Sequence, residues 1–159
     1  MREITCCFTG HRKISADKIP FVRRNLREAI YAACTEGYRR FVCGGALGFD
    51  TMAAIEVLSF KKMFSDIRLI LIYPCLDQDR KWSEEDKTIY KKIYEMCDEC
   101  YAMSEKYTDS CMHLRNRAMV DQSSKVIAYL KNDKSGTAYT YNYAQKRGVD
   151  CINIADWGE

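Results

Sequence analysis

Four segments of the 159-residue chain place glycines, cations and hydroxyls where an anion can be held. Gly44-Gly45-Ala46-Leu47-Gly48-Phe49-Asp50 is the richest in glycine. Glycine allows positive φ and lets a phosphate reach backbone N–H groups, and a helix that follows adds its dipole. The same residues also suit a plain strand-to-helix turn with Asp50 as N-cap. The segment is neither a Walker A loop nor a standard dinucleotide fingerprint. No Lys-Ser/Thr follows the glycines, and Cys43 takes the place of the first glycine in G-x-G-x-x-G. Thr9-Gly10-His11-Arg12 is a second cluster and Arg115-Asn116-Arg117 a third. Two guanidinium forks suit a phosphate or a carboxylate, although a solvated helical face carries such pairs too. In the fourth, Gly136 and Thr137 follow Ser135. Gln78 and Trp82 come after Pro74, and an indole there either stacks on a base or fills a half-buried core position.

Other chemistries find less support. His11 and His113 are the only histidines, and they complete no Ser/His/Asp or Cys/His catalytic set. Cys97-x-x-Cys100 with Cys111 and His113 supplies four potential zinc ligands. Cys97 lies on an apolar helical stripe and a strand intervenes, so no metal is expected. Among the nine cysteines, Cys34, Cys43 and Cys151 sit at apolar positions, where a free thiol packs as a small hydrophobe. Reduced cysteines, and a Met-Arg-Glu start that enters a strand without a signal peptide, predict a cytoplasmic protein. No apolar run is long enough to cross a bilayer. Lys plus Arg at 25 against Asp plus Glu at 22 leaves a net charge of +3, too slight for bulk binding of nucleic acid.

Strand and helix patterns alternate from end to end. Short apolar strands are expected at 4–8, 40–43, 67–73, 99–103, 126–130 and 151–154. Val22, Leu26, Ala29, Ile30, Ala33 and Cys34 repeat at helical spacing up to Gly37. Met52, Ala54, Ile55 and Leu58 mark a second helix. Ser83 with Asp86 opens a third, whose stripe is Ile89, Ile93, Met96 and Cys97. A fourth helix covers 112–123, with Arg115 and Arg117 at its start, and a fifth ends at Gly148. The pattern predicts one α/β domain over 1–159, Rossmann-like and three-layered. Its sheet is mainly parallel, with about six strands and helices on both faces. The strand order 3-2-1-4-5-6 fits, with a flavodoxin-like order as rival. Each segment singled out above follows a strand, at the carboxyl edge where open α/β sheets bind ligands.

At these motifs the chain resembles the YpsA family, within the SLOG superfamily that also holds the DNA-processing protein DprA/Smf and the LOG proteins. The matching segments are Phe8 to Arg12, Gly44 to Asp50, Pro74 with Gln78 and Trp82, Arg115 to Asp121, and Gly136 to Thr140. The resemblance implies a Rossmann-like fold and a role in binding nucleotides or nucleotide-derived ligands, with a link to cell division or stress. LOG-type phosphoribohydrolases carry P-G-G-x-G-T-x-x-E, whose Glu takes part in cleaving the N-glycosidic bond. Here the stretch reads Asn132-Asp133-Lys134-Ser135-Gly136-Thr137-Ala138-Tyr139-Thr140, and Thr140 stands at the Glu. A threonine cannot supply the general acid or base.

The expected function is therefore binding or sensing of a small nucleotide-type ligand, with no other cofactor. The residues expected to hold it are Thr9, Gly10, His11, Arg12, Gly44, Gly45, Gly48, Asp50, Gln78, Trp82, Arg115, Asn116, Arg117, Gly136 and Thr137. Two alternatives stay open. One is N-glycosidic cleavage, with Asp50 or Asp121 as the acid. The other, less favoured, is single-stranded nucleic-acid binding, with Arg12, Arg115 and Arg117 on phosphates and Trp82 stacking. No membrane partner is expected, and a homo-oligomer is compatible with this reading.

Overall fold

The computed structural model describes residues 1–131 and 134–158, so Asn132 and Asp133 of the LOG-like stretch lie outside the described residues. The alternation of elements runs β1 (Thr5–Gly10), α1 (Ile19–Thr35), β2 (Arg40–Cys43), α2 (Phe49–Phe60), β3 (Arg68–Tyr73) and α3 (Glu84–Met96). It continues with β4 (Glu99–Ala102), α4 (Cys111–Asp121), β5 (Lys125–Tyr129), α5 (Gly136–Lys146) and β6 (Asp150–Asn153). Local chemistry sets the boundaries. The Ser83 hydroxyl caps α3 by accepting from the Asp86 N–H at 3.1 Å, and Ser135 caps α5 in the same way through Ala138 at 3.1 Å. No helix among the described residues is long and apolar enough to cross a membrane.

All neighbouring strands are parallel, in the order β4-β3-β2-β1-β5-β6. Alternate residues feed two cores, as the two-residue period of a strand requires. Cys6, Phe8, Phe41, Cys43, Leu69, Leu71 and Tyr73 join the inner faces of α1 and α2, with Ile93 of α3. Cys7, Val42, Ile70 and Ile72 join Met119 and Val120 of α4 and Ala144 of α5 on the other side. The chain winds outward from β1 to β4, then returns past β1 to place β5 and β6. With right-handed crossovers, that reversal of direction moves the helices to the opposite face.

The observed order differs from 3-2-1-4-5-6: β4 adds outside β3, and β5 takes the place beside β1. Burial explains the exchange. Residues Lys125 to Tyr129 are all buried, as an interior strand demands, whereas Tyr101 and Ala102 of β4 are exposed and tolerate an edge. A further difference is that β1 runs through Thr9 and Gly10, which pair with Ala128 and Tyr129. The direction of winding reverses between β1 and β5, which makes their carboxyl ends the natural place for a crevice.

Candidate functional site

The loops after β1 and β2 are stitched together. Phe49, the first residue of α2, donates its N–H to the His11 carbonyl at 3.1 Å. Gly48 caps that helix at φ +77°, and a Cβ there would lie 2.2 Å from the Arg12 carbonyl oxygen. Only glycine meets both demands. The cap is therefore Gly48, not Asp50, which is the second residue of α2. Asp50 turns its carboxylate back into the glycine loop, where Oδ2 accepts from the Ala46 N–H at 3.3 Å. The protein's own carboxylate thus takes part of the anion-binding capacity that the glycine pattern suggests.

Arg115 completes this arrangement from α4. Only 3% exposed, it donates through Nη1 to the Gly44 carbonyl and through Nε to Asn116 Oδ1 at 2.7 Å. A Cβ on Gly44 would fall 2.6 Å from that Nη1 and 2.8 Å from Asp50 Oδ2, so the glycine makes room for both groups. Burial pushes the Asp50 carboxyl above its ordinary range, against the pull of Arg115, the Ala46 N–H and Arg12. Burial likewise lowers Arg115, with Asp50 opposing it. A guanidinium still keeps its proton.

His11 is fixed by its Nε2, which accepts from the Lys131 N–H at 2.8 Å, and its ring meets Tyr129 edge-on at 5.8 Å. An accepting Nε2 places the proton of the neutral ring on Nδ1. Burial lowers the His11 pKa and favours that neutral form.

These groups open on a cleft of about 300 Å³ above the ends of β1 and β5. Its walls include Thr9, Gly10, His11, Arg12, Ala46, Asp50, His113, Arg115, Asn116, Ser135, Gly136 and Thr137. The first N–H groups of α5, at Gly136 and Thr137, have no intrahelical partner and give this wall a positive end. A second cavity of about 550 Å³ lies beside it, lined by Arg12, Lys13, Leu47, Cys75, Asp77, Gln78, Arg80, Lys81, Trp82 and Tyr107. Gln78 bridges the Gly45 carbonyl at 3.3 Å and the Tyr90 hydroxyl at 3.1 Å, and Trp82 packs edge-on against Tyr90 at 5.3 Å. Arg12 belongs to the walls of both cavities.

Most of the expected residues therefore gather at one edge, divided between two cavities. Arg117 does not. Its guanidinium donates from Nε to the Tyr139 hydroxyl at 2.9 Å and lies 5.5 Å from the Tyr143 ring centre, on the outer side of α4 and α5. Residues two apart on a helix point to different sides, so Arg115 and Arg117 cannot share one anion. Both also sit past the first turn of α4, which begins at Cys111. Cys97, Cys100, Cys111 and His113 do not converge: among the described residues no three His, Cys, Asp or Glu side chains are grouped to hold a metal. His113 lines the cleft and packs 4.4 Å from Tyr139. Sequence reasoning passed over Lys13, Arg80 and Lys81. Their signal was adjacency, since Lys13 follows Arg12 and the Arg80-Lys81 pair sits between Gln78 and Trp82.

An all-parallel, doubly wound sheet with a polar cleft where its winding reverses defines a Rossmann-like class of domain. A model of the YpsA family, described as the YspA SLOG family, matches residues 6–152, and the chain belongs to that family. It is 33% identical over 123 residues to YoqJ, an SPbeta prophage-derived protein of Bacillus subtilis, covering 70% of this chain and 72% of that one. A UPF0398 protein of Halalkalibacterium halodurans is 26% identical over 132 residues, 81% of this chain and 70% of that protein. Among solved structures, DNA processing protein A of Streptococcus pneumoniae superposes with a TM-score of 0.66 at 20% identity. That match covers 94% of this chain and 49% of the other. The Helicobacter pylori protein, whose structure describes a single-stranded DNA binding mode, matches with the same TM-score and identity over 64% of its length. The chain thus spans about half to two thirds of these two proteins, and at this identity the likeness shows the fold.

Proposed function

We propose that this protein binds an anionic, nucleotide-type ligand in the cleft over β1 and β5, acting as a binding or sensing domain. One observation carries the reading: four separated segments, Thr9–Arg12, Asp50, Arg115–Asn116 and Ser135–Thr137, line one cleft at the switch point. The free amides of the α5 N-terminus and the Arg12 guanidinium supply the attraction for phosphate. Catalysis of the LOG type is not part of the proposal. The Thr140 hydroxyl donates to the Gly136 carbonyl at 3.0 Å, within its own helix, and brings no carboxylate. Asp50, the carboxylate that lines the cleft, is engaged with the glycine loop.

A thermal-shift screen of mononucleotides, dinucleotides and nucleotide sugars tests the reading. A ligand at a hundred times its dissociation constant stabilises the fold by about 2.7 kcal/mol, which raises the melting temperature by roughly 5–10 °C. Arg12→Ala should erase most of that shift, and Arg117→Ala should preserve it. If no compound shifts the wild type, the proposal falls. Free base released from a nucleoside monophosphate, dependent on Asp50, would replace it with a hydrolase.

Single-stranded nucleic acid is a second reading, favoured by Lys13, Arg80 and Lys81 beside Trp82 in the outer cavity and by the Helicobacter pylori neighbour's DNA binding. An oligonucleotide affinity whose logarithm falls linearly with log salt would support it.

A further inference from the structure

The two cavities differ in what they can recognise. The inner cleft combines helix amides, hydroxyls and the buried Asp50 and Arg115 side chains, a setting for one phosphate and its sugar. The outer cavity is larger and brings Lys13, Arg80 and Lys81 together with two aromatic side chains, Trp82 and Tyr107, against one acidic residue, Asp77. A single small anion leaves most of that outer chemistry unused. Cations with aromatic surface are what a second base and a second phosphate require. Arg12, exposed and without an ion pair among the described residues, stands in both walls, as it does in those of two neighbouring cavities of about 480 and 600 Å³.

We propose that the two cavities form one composite site, and that its ligand carries two nucleoside-like units joined through phosphate, with the joining phosphate at Arg12. This rests on the proposed nucleotide binding and extends it to the ligand's class. The first unit occupies the inner cleft. The second lies over the outer cavity, with Trp82 beside its base and Lys81 and Arg80 near its phosphates.

Calorimetric titration of three probes decides the matter: 5′-AMP, the pyrophosphate-linked diadenosine diphosphate AppA, and the phosphodiester dinucleotide pdApdA. Wild type should bind at least one of the two-unit probes about tenfold or more tighter than AMP. The double variant Arg80→Glu/Lys81→Glu reverses two exposed charges at little risk to folding. It should remove that advantage and leave AMP affinity within about twofold. A preference for AppA assigns a pyrophosphate-linked ligand, and one for pdApdA a nucleic-acid fragment. If AMP binds and neither two-unit probe binds tighter, the composite site is wrong while nucleotide binding stands. Equal losses for AMP and the longer probes in the double variant would also overturn it. If none of the three binds, both proposals fall together.

Discussion

At the amino edge of the sheet, Lys125 is 3% exposed yet has two carboxylates in reach, Asp150 at 2.8 Å and Glu36 at 3.4 Å. At the carboxyl edge, Arg115 is equally buried but meets a carbonyl, a side-chain amide and the electrostatic pull of Asp50. The rest of each edge follows suit. Arg40 pairs with Glu99 at 2.8 Å, Arg39 with Asp66 at 2.9 Å, and Lys61 with Asp98 beside the amino ends of the strands. Around the carboxyl ends, Arg12, Lys13 and Lys81 form no ion pair among the described residues, and Arg80 reaches Asp77 only at 3.9 Å. Both edges belong to one sheet and carry similar residue types. The matched edge is what a protein builds to hold itself together, and the unmatched one leaves cationic capacity for something else.

The largest effect should come from Asp50→Ala. The change removes the nearby negative charge from buried Arg115, strips the Ala46 N–H of its acceptor and opens a void. Chemical denaturation should show a loss of about 3 kcal/mol or more. A loss under 1 kcal/mol would mean that Arg115 does not depend on Asp50. Gly48→Ala should cost about 2–3 kcal/mol, because alanine must adopt positive φ and push the Arg12 carbonyl aside. Lys125→Met at the amino edge should cost about 1 kcal/mol or less. Its two partners are half-exposed and regain water, and methionine fills the space. Equal losses for Asp50→Ala and Lys125→Met would erase the distinction drawn here.

The sequence carries the architecture more clearly than the division of labour at the site. Uninterrupted apolar runs such as 69–73 announce buried strands, and the Ser83 and Ser135 caps are visible in residue type alone. The place of β4 was not legible. Whether a strand ends up at an edge depends on how well it buries, and β4 and β5 look alike as short apolar stretches. At the site, the glycines at 44, 45 and 48 advertise a special backbone, but not its use. Residue type cannot say whether a bare backbone admits a phosphate or, as at Gly48, another carbonyl. Arg117 failed for a geometric reason that helical periodicity already contained, since two positions along a helix turn a side chain to another face. The outer cavity's lysines and Arg80 were hidden because exposed cations are common on any surface.

The smallest effect, and the one that compares the edges most directly, is the pH dependence of stability. Burial raises the Asp50 carboxyl, so the folded state holds that proton more tightly than the unfolded chain. Its contribution is complete below the unfolded pKa and is lost as pH rises through the raised folded value. Asp98 and Glu99 run the other way. Burial acts to raise Asp98, but the Lys61 hydrogen bond, the Leu69 N–H and Arg68 outweigh it and leave its pKa lowered. Hydrogen bonds from Tyr101 and Arg40 hold Glu99 down against burial. Both contribute stability above the ordinary carboxylate range, and that stability is lost as pH falls through their depressed values. Denaturant midpoints taken between about pH 2 and pH 7 should therefore separate the two edges. The stability cost of Asp50→Asn should shrink as pH rises, because the amide cannot lose a proton. The cost of Asp98→Asn should grow as pH rises from about 2 to about 4 and then level off, since the amide cannot gain the charge that Lys61 favours. Two costs that move in the same direction would show that Asp50 is held as an ordinary ion-paired carboxylate. In that case the carboxyl edge would be matched after all, and its cations would have less to offer a ligand.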